Sequence, residues 1–308
     1  MKKDRQADLS QRTPLLFCSP LILCMLTFML IPFILTIFVS FSNLSLNRMN
    51  NPNFQLQFVG LKNYIGIWDN GRLMIIIGRT FIWMGGSVLL STIFGVFYAL
   101  VMTFDIKGKS IIKAVILMPW VLPEVVTGFV IKMLFVGETG ILLNFLVKIG
   151  VLDANTTILA DAGKAMALVI VANSWRSAPY VATMVYGKFK SLPTSQVEAA
   201  KIDGANAVQA FFHITIPWIW PIVKRCILLI CIWSFNAYGI IYTMTNGGPA
   251  SATTNLAIAL RNMAFGQYNF GKGAAYGVVI LIVILILFGI GSTVGKFVRV
   301  ANGRRCKA

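Results

Sequence analysis

Few residues in this chain could do covalent chemistry. There is one histidine, His213, so a histidine-based metal site or a catalytic triad is not expected. The five cysteines, Cys18, Cys24, Cys226, Cys231 and Cys306, show no metal-ligand spacing. Gly108-Lys109-Ser110 is a fragment of a phosphate-binding loop, but Thr103 stands where that loop needs its first glycine, and no strand precedes it. Two ionisable residues, Glu124 and Arg176, fall inside apolar runs, each near a proline, Pro123 or Pro179. A charge at the centre of a membrane helix costs about 2.5–3.5 kcal/mol on the insertion scale, so it needs a partner. Glu124 and Arg176 either pair and hold or gate the bundle, or each meets a different group or a backbone carbonyl. The remaining polar signal is Glu198-Ala-Ala-Lys-Ile-Asp-Gly204, with Ile214-Thr-Ile-Pro217 nine residues further on.

The elements that must position these residues are membrane helices. Of 308 residues, 57% are hydrophobic and only 12% charged, with a mean hydropathy of +0.78. Soluble domains carry about 25% charged residues. The fold class is therefore an all-α polytopic membrane protein filling one domain over 1–308, with its core at about 15–298. About six spans are expected, at Leu15–Phe41, Ile75–Phe104, Ile111–Val136, Ala165–Gly187, Trp218–Met244 and Ala274–Val298. The first run is too long for a signal-peptide core and has no clear cleavage site, so it reads as an uncleaved span.

The net charge of +17 suits positively charged membrane-facing loops rather than nucleic acid. With both termini inside, the inner segments hold Lys2, Lys3, Arg5, Arg12, Lys107, Lys109, Lys188, Lys190 and the basic tail. The longer outer segments are sparse in cations. The positive-inside rule therefore predicts cytoplasmic termini and a cytoplasmic 188–217 loop. There, Ser195 and Glu198 suggest a capping box, and a second short helix over Asn206–His213 is expected to run to a break at Pro217. Outside, Phe58–Asp69 reads as an amphipathic segment with Tyr64 and Trp68 at the interface. Asn246-Gly-Gly-Pro249 reads as a tight break. Lys224 and Arg225 are expected to snorkel beside Trp218 and Trp220.

The Glu198–Pro217 pattern resembles the cytoplasmic EAA loop of membrane subunits of binding-protein-dependent ABC importers: EAA, three residues, Gly, nine residues, then Ile-x-Leu-Pro. Ile216 replaces the Leu and keeps apolar bulk. The resemblance implies a type I ABC importer permease fold with a coupling helix that sits in a groove on a separate ATPase. It assigns that role to Glu198, Ala199, Ala200, Gly204 and Pro217, with Asp203 beside them. Further segments are similar to the first of two paired permeases in carbohydrate and glycerol-phosphate importers. These are Pro32–Phe41, Phe58–Tyr64, Pro119–Glu124, Trp175-Arg176 with Pro179, and Asn246–Leu256.

By the same resemblance, the chain is expected to be a non-enzymatic subunit of a bacterial inner membrane, embedded in the lipid bilayer. Its expected partners are a second permease, an ABC ATPase dimer and an extracytoplasmic solute-binding protein. ATP-Mg would sit on the ATPase, and this chain would bind no cofactor. Its solute would be a sugar or a related compound, moved by alternating access. Along that path, Glu124, Asn173, Trp175, Arg176, Asn236 and Tyr238 are candidates, since sugar sites combine hydrogen-bonding side chains with aromatic faces. Bonds between helices explain the polar ones equally well. The rival readings are an amino-acid or peptide importer, an ion-coupled secondary transporter for which Glu124 is the one good carboxylate, and a membrane scaffold.

Overall fold

A computed structural model describes residues 17–105, 107–137, 140–153 and 156–305, the side chains of 288 and 290–305 excepted. Leu15, the basic Met1–Arg12 segment and Cys306 lie outside the described residues. Helices follow in the order α1 Phe17–Ser40, α2 Lys62–Trp68, α3 Arg72–Thr103, α4 Lys109–Val121, α5 Glu124–Phe135 and α6 Ile141–Lys148. Then come α7 Ala162–Lys190, α8 Thr194–Ile202, α9 Ala207–Asn236, α10 Gly239–Thr245, α11 Leu256–Gly266 and α12 Phe270–Arg305. Among the described residues, β pairing is confined to a bridge between Ser42 and Phe58. The chain divides into two compact units, residues 1–71 with 260–308, and residues 72–259.

By length and composition, four helices qualify as spans: α1, α3, α9 and the first part of α12. The pair α4–α5 passes the same test only when its two helices are taken together, and it bends by 105° where a straight span was expected. The bend has a local cause. Leu122 precedes Pro123 and is extended, with ψ 132°, because the proline ring clashes with a helical residue before it. The remaining expected span, α7, has 29 residues. It falls short in composition because Asn173, Ser174, Arg176 and Ser177 lie along it.

The expected fifth span is also broken. α9 ends at Asn236, Ala237 is extended, and α10 starts at Gly239. Backbone groups freed inside a membrane must be satisfied internally, and here three residues remote in sequence do it. The carbonyl of Ser234 has lost its partner one turn on and accepts Trp83 Nε1–H at 2.7 Å. The carbonyl of Ala237 accepts Asn255 Nδ2–H at 3.0 Å. Gly239 N–H donates to Glu124 Oε2 at 3.2 Å. Trp83 and Asn255 are fully buried, so the break is a specified feature of the core.

Around it, the larger unit packs α3 against α7. Trp83, Val169, Ile240, Ile241, Met244 and Ile258 form one apolar cluster. Ala99, Val181, Val185, Ile219, Val223 and Ile230 form another.

In the smaller unit, Asn63 of α2 closes the end of α1 by donating to the carbonyls of Ser40 and Ser42, at 2.9 and 2.8 Å. Tyr64 was expected at the interface. Its hydroxyl engages Ser40 Oγ at 2.6 Å, at the polar end of α1. Trp68 remains exposed.

Candidate functional site

The 188–217 loop differs from expectation in two local ways. α8 begins after Pro193, which occupies the N-cap position, so Ser195 lies within the first turn and caps nothing. The capping box forms instead at the next helix. There Gln209 N–H donates to Asn206 Oδ1, and Asn206 N–H donates to Gln209 Oε1, both at 2.8 Å. Pro217 was expected to end a helix, yet α9 runs straight through it. A π-helical turn over Phe211–Thr215, closed by Ile216 N–H on the Phe211 carbonyl, adds a residue just before the proline. That wider turn accommodates a residue with no N–H to give.

Gly204 ends α8 with φ +86°. Ala205 N–H reaches the Ala200 carbonyl at 2.9 Å, and Gly204 N–H reaches the Lys201 carbonyl at 3.1 Å. This is a Schellman closure, which needs a left-handed residue at Gly204. Glu198, Ala199, Asp203 and Gly204 are exposed, and Ala200 is half-buried. α8 buries no side chain among the described residues. Ile202 is 86% exposed, and Val208 and Phe212 are also exposed. The apolar side chains of this helix thus point away from the described residues of its own chain.

The second constellation is a cleft of about 420 Å³ in the larger unit, lined by Trp120, Glu124, Arg176, Ile232, Trp233, Asn236 and Ala237. Arg176 Nη2 donates to Glu124 Oε1 at 2.7 Å. The two side chains are 18% and 31% exposed. Glu124 is the first residue of α5, where the helix dipole favours an anion. Its other oxygen holds Gly239 at the α9–α10 break. One carboxylate thus ties α5, α7 and α10 together beside the cleft.

Three candidates from the sequence, Glu124, Arg176 and Asn236, therefore share one wall, and three do not. Asn173 is buried and donates to Ser234 Oγ at 3.3 Å, a bond between helices. Trp175 is half-buried outside the cleft. Tyr238 sets its ring 5.9 Å from that of Tyr242.

Sequence reasoning missed Trp120 and Trp233, whose rings lie 5.9 and 4.9 Å from Tyr180. A signal existed for Trp233, three residues before Asn236 on the same helix face. With Asn236 beside them, these rings offer apolar faces next to strong hydrogen-bonding groups. A Cβ at Gly239 would come within 2.8 Å of Glu124 Cβ and 2.9 Å of its Oε2. Gly239→Ala is expected to displace the carboxylate and lower the thermal midpoint in detergent by a few degrees, equivalent to about 1–2 kcal/mol. Adding Arg176→Met to it should then cost less than that change costs alone. Additive losses in the melting series would refute the coupling.

Comparison with known proteins gives a consistent picture. Residues 91–300 match the family described as binding-protein-dependent transport system inner membrane component. The trehalose/maltose transport system permease protein MalF of Thermococcus litoralis is 28% identical, over 92% of this chain and 94% of its own. The sn-glycerol-3-phosphate transport system permease protein UgpA of Escherichia coli is 27% identical, over 79% of this chain and 82% of its own. Among solved structures, a chain of a bacterial alginate ABC transporter, in complex with an alginate pentasaccharide-bound periplasmic protein, aligns with a TM-score of 0.78. It covers 96% of this chain and 97% of that one at 18% identity, a likeness of fold.

Proposed function

The chain belongs to the inner-membrane components of binding-protein-dependent transport systems, and from that premise we propose that it is one permease subunit of a sugar-type ABC importer. A second permease completes the pathway, an ABC ATPase dimer docks on the 188–217 loop, and an extracytoplasmic solute-binding protein delivers the solute. Both termini are cytoplasmic, in keeping with the charge bias of the loops. ATP-Mg sits on the ATPase. This chain supplies the path and the coupling surface, with Glu198, Ala199, Ala200, Asp203, Gly204 and Pro217 in the loop.

The observation that carries the reading is the exposed face of α8, closed at Gly204 and offering Ile202 with small Ala199 and Ala200. Closure of the ATPases pushes this loop, the push passes along α9, and the α9–α10 break lies beside the cleft. The cleft suits a neutral sugar better than a phosphorylated polyol, since Glu124 already neutralises Arg176. Trp120 and Trp233 would face the ring and Asn236 its hydroxyls.

The test is co-purification of the tagged subunit from solubilised membranes, wild type beside Gly204→Asp. A side chain in the left-handed region is strained by about 1–2 kcal/mol, and the new carboxylate lands on the docking face. Wild type should bring down an ATPase and a second permease. The variant should keep the second permease and lose most of the ATPase. An ATPase retained equally by both would remove the docking role from this loop. Uptake by the reconstituted complex of trehalose or maltose against sn-glycerol 3-phosphate then separates the two solute classes.

A further inference from the structure

At the end of the larger unit where α4 begins and α7 ends, cations gather on aromatic rings. Lys113 Nζ donates to the Tyr186 hydroxyl at 2.9 Å and stands 4.5 Å from the centre of the same ring. Lys190, one turn further along α7, places its ammonium 5.9 Å from that ring's centre. The two ammoniums are therefore within about 10 Å of each other, close to one Debye length. Lys188 lies 4.0 Å over Trp218, whose indole N–H donates to the Lys188 carbonyl at 3.2 Å. Lys109 alone has an acidic partner, the exposed Asp105 at 3.6 Å. Among the described residues, no carboxylate comes within ion-pair distance of Lys113, Lys188 or Lys190.

Ordinary loop lysines would spread into water and away from one another. Lys188 and Lys190 have a partial explanation in the negative end of the α7 dipole. Lys109 and Lys113 have the opposite problem. They occupy the first two turns of α4, whose first turn has no acid and whose N-cap makes no side-chain bond. A cation there opposes the helix dipole. The excess positive charge thus calls for an anion from outside the chain.

Height along the helix says which kind. On the same two turns of α4 Ile111 and Val115 point outward, as does Met118 on the next, each more than half exposed, as side chains facing hydrocarbon do. Trp218 and Trp220, the latter under Lys224 at 5.6 Å, stand at this end as an interfacial aromatic belt does. An anion at this level sits at the headgroup plane.

We infer that Lys113, Lys190 and Tyr186 form a seat for the phosphodiester headgroup of an anionic phospholipid, flanked by Lys109 and Lys188. Two ammoniums and a phenol hydroxyl donate to its phosphate oxygens, while its acyl chains lie against the apolar surface of the bundle. The inference rests on the chain being embedded in a bilayer and is independent of the transported solute.

The test uses the assembled transporter in neutral detergent, with retained lipid counted by native mass spectrometry as phosphatidylglycerol or phosphatidylcholine is titrated. Wild type should retain phosphatidylglycerol in preference. Lys113→Gln and Lys190→Gln should each weaken retention about fivefold, and the double variant about thirtyfold. Replacing both by arginine should preserve retention, and Lys224→Gln should leave it unchanged. Should the double glutamine variant fail to assemble, the single variants carry the comparison. Equal retention by wild type and the glutamine variants, or equal retention of phosphatidylcholine, would overturn the seat. Displacement by millimolar inorganic phosphate would overturn the lipid as its occupant, because a soluble phosphate would then be the better ligand.

Discussion

Replacing Arg176 by methionine is expected to destabilise the chain by about 3 kcal/mol, the lower end of the cost of orphaning one member of a buried ion pair. The lower end applies because Glu124 keeps some access to water, at 31% exposure. Glu124 would be left beside α10 without its cation, with only Gly239 N–H to hold it. Glu124→Gln should be milder, since the amide oxygen can still accept a hydrogen bond from Gly239 N–H or from Arg176. The swapped pair, Glu124→Arg with Arg176→Glu, should recover part of the loss but not all. An arginine at 124 has no acceptor for Gly239 N–H. Thermal unfolding of the assembled complex in detergent reads the stability, and uptake in proteoliposomes reads the function. All single changes should reduce uptake strongly, because α5, α7 and α10 lose their shared anchor. If the swapped pair is no better than either single reversal, the ion pair is not what joins these helices.

That ion pair shows what a sequence can and cannot disclose. Two isolated charges in apolar runs are visible because hydrocarbon penalises each, so the cost itself points to them. The helical membrane class is visible for the same reason. The breaks are not. Hydropathy sums side chains over a window and takes no account of backbone conformation, so Ile111–Val136 and Trp218–Met244 read as continuous although each is interrupted. What makes the second interruption tolerable is Trp83 and Asn255, far away in the chain, and no local pattern announces such a bond. Trp120 and Trp233 were overlooked because an indole counts as apolar bulk until its neighbours are known. In the loop, Ser195 and Glu198 have the right spacing for a capping box. Pro193 pre-empts it by starting the helix two residues earlier. Gly204 was legible as a special position, and its reason, a left-handed closure, is a backbone angle.

A close approach of two helices in the larger unit, α3 and α7 at Gly95, yields the other large effect. A Cβ at Gly95 of α3 would overlap Val181 Cβ and stand 2.8 Å from the Ala178 carbonyl oxygen of α7. The valine could turn, but its Cβ is fixed to the backbone and the carbonyl is backbone itself. Relief must therefore come from moving α3 away from α7. Gly95→Ala should cost about 1–3 kcal/mol, as overpacking in a close-packed core does, and Gly95→Leu more. Gly78, on the same helix, is the control. A Cβ there meets open space among the described residues, so Gly78→Ala should be neutral or stabilising by up to about 1 kcal/mol, from helix propensity alone. The consequence reaches function because α7 carries Arg176, and because Ser174 Oγ bonds the Ser87 carbonyl of α3 at 3.3 Å. Displacing α7 shifts the guanidinium against Glu124, so Gly95→Ala should lower both the thermal midpoint and the uptake rate while Gly78→Ala lowers neither. Equal melting of the two variants would mean that the α3–α7 contact is loose enough to absorb a methyl group, and that the position of Arg176 is set by Glu124 rather than by the packing of α7.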